Sequence, residues 1–82
     1  MTHRNGTSEL GWALSIYRAW RRLSQKQLAE KAELDASTVS LIESGRRKVS
    51  MGSLDQLAKA LKVSPAEIMQ LAASLPTGTW RP

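Results

Sequence analysis

Residues 24–45 read Ser24-Gln25-Lys26-Gln27-Leu28-Ala29-Glu30-Lys31-Ala32-Glu33-Leu34-Asp35-Ala36-Ser37-Thr38-Val39-Ser40-Leu41-Ile42-Glu43-Ser44-Gly45. Ser24 followed three residues later by Gln27 is a capping box: the serine oxygen takes the Gln27 amide, and the glutamine side chain returns to the serine amide. Leu28, Ala29 and Ala32 then share one helical face, which predicts a short helix over 25–32. Asp35 is a strong N-cap for the next apolar pair, Val39 and Ile42, and Gly45 suits a helix end that needs positive φ. A second helix is therefore expected over 36–44, joined to the first by a turn of about three residues.

Three more helices are expected on either side. Ser8 can cap one in which Leu10, Leu14 and Tyr17 recur at helical spacing, running to about Arg21. Ser50 precedes Leu54, Leu57, Ala58 and Leu61, an i, i+3, i+4, i+7 stripe. Ser64-Pro65-Ala66-Glu67 combines an N-cap serine, a proline at N1 and a glutamate at N3, and starts a helix over about 65–74. Nothing alternates with period two, so the expected class is all-α with five helices. The expected domain is 8–75 with its helix pair at 24–44, between a disordered N-terminal tail at 1–7 and a C-terminal tail at 76–82 whose Trp80 could fold back.

Composition narrows the function. The chain has 82 residues, no cysteine, a formal net charge of +5 and a hydrophobic fraction of 41%. That length fits one domain, without a second one to bind an effector. The missing cysteines exclude disulfides and thiolate zinc sites and suit a reducing cytoplasm. No apolar run approaches the ~20 residues that span a membrane. The single histidine, His3, falls in the expected tail, so neither a catalytic triad nor a His-rich metal site has a rigid base, and the chain reads as a non-enzyme without metal, cofactor or small-molecule substrate. Most of the net charge, +4, lies in residues 18–48, and Arg46, Arg47 and Lys48 are its densest run. Such a segment favours phosphate partners.

From Leu23 to Leu61 the order Leu-Ser-Gln, Leu28-Ala29, Lys31-Ala32, Leu34-Asp35, Val39-Ser40, Ile42-Glu43, Gly45, Arg46-Arg47 and Leu-Ala-Lys-Ala-Leu resembles the Xre/Cro/C1 helix-turn-helix family. That family includes lambdoid phage repressors and restriction-modification controller proteins. The resemblance implies a five-helix lambda-repressor-like DNA-binding domain and a sequence-specific, double-stranded-DNA-binding transcriptional regulator, expected to be a repressor. Its recognition helix, 36–44, would lie in the major groove, and helix 25–32 would cross the backbone. The family has glycine where this chain has Arg22, Glu33 and Lys62, and often proline where it has Val49.

With Val39 and Ile42 turned inward, the outward residues of 36–44 are Ala36, Ser37, Ser40, Leu41 and Ser44. Expected base contacts are Ala36, Ser37, Thr38, Ser40 and Leu41, and the resemblance supports Ala36, Ser37 and Leu41 most strongly. The serine and threonine hydroxyls bond either kind of edge, while Ala36 and Leu41 offer apolar contact to thymine methyls. No arginine, lysine, glutamine or asparagine occurs over 36–44, so direct readout should be modest, with DNA shape and half-site spacing supplying the rest. Expected backbone contacts are Gln25, Arg18, Ser44, Arg46, Arg47 and Lys48; the role of Gln25 and an ion pair between Arg18 and Glu43 are implied by the resemblance.

Residues 65–75 look apolar on more than one face, which predicts a homodimer interface of Ile68, Met69, Leu71, Ala72 and Leu75. The alternative class is a protein-interaction module, such as an antitoxin-type regulator that engages a protein partner through 65–75.

Overall fold

The computed structural model describes residues 6–76. They form five helices and, among the described residues, no strand: α1 Gly6–Trp20, α2 Gln25–Ala32, α3 Ala36–Glu43, α4 Met51–Leu61 and α5 Pro65–Ser74. Ser24 and Ser64 each make a complete capping box, with Gln27 and Glu67 as the returning side chains, and Ser50 accepts from the Ser53 amide. Asp35 occupies the α3 N-cap with extended backbone, but its carboxylate makes no capping bond, contrary to its expected role. α1 begins at Gly6, before the expected cap at Ser8, and so takes up the last two residues of the expected tail. Apolar periodicity marks where burial starts, and a first turn, whose amides have no intrahelical partner, can precede it. Trp80 and residues 1–5 lie outside the described residues.

α1 packs against α5 and α3, α2 against α3 and α4, and α4 closes on α5. The centre is built from Leu14, Leu28, Val39, Ile42, Leu54, Leu57, Leu61 and Ile68, with Ala13, Ala29, Ala32 and Ala58 where backbones come close. Each large member stabilises the fold by about 1.5–3 kcal/mol when fully buried. α1 and α3 approach closely at Gly11. A Cβ there would overlap the Ile42 carbonyl oxygen and press on the Glu43 Cα, so α1 rests directly on the α3 backbone.

Four helix ends share one geometry. The residue after α1, α2, α3 and α4 that turns left-handed is Arg22 (φ 58°), Glu33 (φ 60°), Gly45 (φ 82°) and Lys62 (φ 62°). At each, paired amides return to the last turn: Arg22 to Ala19 and Leu23 to Arg18, Glu33 to Glu30 and Leu34 to Ala29, Gly45 to Ile42 and Arg46 to Leu41, Lys62 to Lys59 and Val63 to Ala58. This is the Schellman pattern. Three of the four ends adopt it without glycine, so the turn between α2 and α3 keeps its shape although Glu33 bears a Cβ.

Candidate nucleic-acid interface

α3 buries Val39, Ile42 and Glu43 and turns Ala36, Ser37, Ser40, Leu41 and Ser44 outward, all exposed; Thr38 is half-buried. The outward face carries hydroxyls, one methyl and one leucine, and no charge. Exposed Arg46, Arg47 and Lys48 continue directly from its C-terminal end. The Leu41 carbonyl accepts from three donors: Ser44 Oγ at 3.0 Å, the Arg46 amide at 2.9 Å and the Arg47 amide at 3.2 Å. The backbone of the basic loop at Arg46 and Arg47 is thereby fastened to the helix that it follows.

Behind this face sits a charged junction of three helices. Arg18 of α1 donates to both oxygens of Glu43 of α3, Nε to Oε2 at 2.7 Å and Nη2 to Oε1 at 3.1 Å, and its Nη1 donates to the Leu23 carbonyl at 2.8 Å. Gln25 of α2 gives its amide to Glu43 Oε1 at 3.0 Å. Glu43 is 6% exposed and Arg18 21%, a setting in which a bidentate pair is protected from solvent. Three of the five guanidinium donors are thus committed inside the protein. Arg18 thus builds the junction, and two of its N–H groups are left over for the phosphate contact also expected of it. Gln25 keeps its second amide N–H to donate, while its position is set by Glu43.

The remaining cations divide by place. Lys31 and Lys59 stand in the last turns of α2 and α4, where positive charge offsets the negative helix ends. They line a shallow depression of about 320 Å³ with Ala32, Glu33, Gln56 and Ala60, and Gln56 Nε2 donates to the Ala32 carbonyl at 3.0 Å. Arg21 crosses from α1 to α4, its Nε on the Leu61 carbonyl at 2.9 Å, and lies 5.9 Å from the Trp20 ring centroid. Among the described residues no cluster of His, Cys, Asp or Glu could hold a metal ion, and no helix is long and apolar enough to cross a membrane.

α5 corrects the expected dimer face. Ile68 is fully buried in the monomer core, packed below α1 and α4, and is not available to a second copy. Leu71, Ala72 and Leu75 are half-buried against that core, and Met69 is 41% exposed. Of the residues that look apolar all round in sequence, Ile68, Leu71, Ala72 and Leu75 pack on the core of this chain, while Met69 does not. A different stripe, Ile16 (37% exposed) and Trp20 (74%), one turn apart on α1, is the more exposed one. Sequence reading also missed Gly11, though a glycine inside an apolar helix is itself a signal of close approach, and Gln56, for which no local signal exists.

A two-helix unit with an exposed second helix, anchored from behind and followed by cations, defines the helix-turn-helix class. The chain belongs to it: the family described as "Helix-turn-helix domain" matches residues 9–71. An HTH-type transcriptional regulator of Mycobacterium tuberculosis is 42% identical over 53 residues, covering 65% of this chain and 37% of the relative. This chain therefore spans well under half the length of that relative. Among solved structures, the clp gene regulator ClgR from Corynebacterium glutamicum superposes with a TM-score of 0.84 at 30% identity, covering 88% of this chain and 92% of the other. The restriction-modification controller protein C.AhdI from Aeromonas hydrophila does so with a TM-score of 0.74 at 37% identity, covering 76% and 94%.

Proposed function

We propose that this protein is a transcriptional regulator that binds double-stranded DNA sequence-specifically, with α3 in the major groove, and that it represses by occupying its site as a homodimer. The observation that carries the reading is the exposed, uncharged outer face of α3, fixed to a basic loop on one side and to the Arg18–Glu43–Gln25 junction on the other. The loop cations and Gln25 would bind phosphates and set the register, and Ala36, Ser37, Ser40 and Leu41 would meet base edges, with Thr38 beside them. The controller proteins and regulators that it resembles support this reading. Two copies would double a short recognition surface, meeting through Met69 and the outer edges of Leu71, Ala72 and Leu75.

NMR shift mapping with pooled random duplexes tests it. Shifts concentrated at residue 25, at 36–41 and at 46–48 are expected. Shifts absent with every duplex at low salt would overturn the reading. Sedimentation at micromolar concentration tests the dimer, which a monomer mass would refute.

A further inference from the structure

We propose that Leu41 is a reader of the pyrimidine C5-methyl group, so that the interface accepts 5-methylcytosine as it accepts thymine and discriminates against their unmethylated counterparts. The proposal rests on the DNA-binding reading above and deepens it, because it makes cytosine methylation a regulator of the same site. Thymine and 5-methylcytosine present a methyl at the same place on the major-groove edge and differ only in O4, an acceptor, against N4, a donor. Telling them apart takes a committed donor or acceptor aimed at that atom, and on the N-terminal side of Leu41 the outward face of α3 carries only the hydroxyls of Ser37 and Ser40.

The outward neighbours Ser37 and Ser40 carry hydroxyls that donate or accept equally well. Ser44, an acceptor once its hydroxyl proton is on the Leu41 carbonyl, and the donors Arg46 and Arg47 lie toward the C-terminal end, which the reading above gives to the phosphates. Glu43, the adjacent carboxylate, is buried and bonded to Arg18 and Gln25. Asp35 is the next carboxylate back along the helix, about 9 Å away at 1.5 Å per residue.

What Leu41 does have is position. Its carbonyl is held by three donors and its neighbour Ile42 is in the core, so an apolar side chain that is 36% exposed stands on a fixed backbone. A backbone free to shift could close the space left by a missing methyl; one held in this way leaves it open. Burying one methyl group corresponds to about a fourfold gain in affinity. A half-site with 5-methylcytosine in place of cytosine beneath Leu41 should therefore bind about fourfold more tightly, and cytosine methylation would strengthen occupancy instead of blocking it.

The test uses a duplex selected from a random pool by the full chain. Each thymine in turn is replaced by deoxyuridine, and each cytosine by 5-methylcytosine, and affinity is measured by fluorescence anisotropy. One position per half-site should lose about fourfold on thymine to uracil, and cytosine against 5-methylcytosine at that position should differ by a similar factor. Leu41→Ala and Leu41→Ser, both on an exposed side chain and checked for an unchanged melt, should abolish the discrimination while phosphate-driven binding persists. Binding that ignores the methyl at every position would overturn the proposal, and so would discrimination that survives both variants. If the pool yields no bound duplex, the DNA-binding reading itself fails and the proposal with it, an outcome distinct from methyl-blind binding.

Discussion

Replacing Glu33 by glycine should stabilise the protein. Glu33 ends α2 at φ 60°, ψ 43°, with its amide on the Ala29 and Glu30 carbonyls. An L-residue held there bears about 1–2 kcal/mol of strain between Cβ and the following carbonyl oxygen, which glycine lacks. Glycine loses more freedom on folding, about 0.5–1 kcal/mol, which takes back part of the gain. Removing a carboxylate from the negative end of α2 adds in the favourable direction. The net expectation is a gain of about 1 kcal/mol, or roughly 4–8 °C in Tm for a domain of this size. Glu33→Ala separates the two contributions, since it removes the charge and keeps the Cβ. Thermal melts of the two variants side by side, by circular dichroism, should place the glycine variant above the alanine variant by several degrees. A glycine variant that melts at or below the alanine variant would refute the reasoning, because the left-handed cap would then carry no strain for glycine to relieve.

Three further outcomes are expected. Gly11→Ala should destabilise by about 1–3 kcal/mol in urea denaturation, as its methyl meets backbone that no rotamer change can move aside; a neutral result would mean that α1 is free to lift from α3. Arg18→Ala should cost about 3–5 kcal/mol by leaving Glu43 buried without its cation, and the double variant Arg18→Ala with Glu43→Ala should recover part of it; equal losses in the two would show that Glu43 left without its cation carries no penalty. For a dimer neutralising ~3–4 phosphates per subunit, log affinity against log salt should have a slope of about −5 to −7, shrinking by about 1 unit or more per dimer when Arg47 is replaced by alanine; a flat line in the parent protein would dispose of the electrostatic part.

How far the sequence alone reaches depends on how local each cause is. The start of α5 at Ser64-Pro65-Ala66-Glu67 is written within four residues, and it lies where those residues place it. The inward set Val39 and Ile42 and the outward set around Leu41 follow from helical periodicity alone, so the exposed face of α3 was legible. The start of α1 was not, since Gly6 and Thr7 carry no apolar periodicity that could mark a helix. Ile68 shows a second limit: an apolar residue on a crowded helix gives no sign of whether its own core or a second copy will cover it, and here the core does. The amide of Gln25, which shares Glu43 with Arg18, depends on three helices meeting and has no local signature. Arg22, Glu33 and Lys62 mark a third limit. Residue preference argues against left-handed turns there, yet the paired amides and the packing of Leu23, Leu34 and Val63 against the core override about 1 kcal/mol of preference at each.

The junction of Arg18, Glu43 and Gln25 has a consequence for anyone isolating defective variants. Glu43 lies inside the molecule and Arg18 faces it from another helix, yet their loss would tilt α3, the helix proposed to meet base edges. A genetic screen for lost regulation should therefore return substitutions at 18 and 43 beside those at the outer surface of α3. Sorted by melting temperature, the first group falls away with the fold, and the second keeps it.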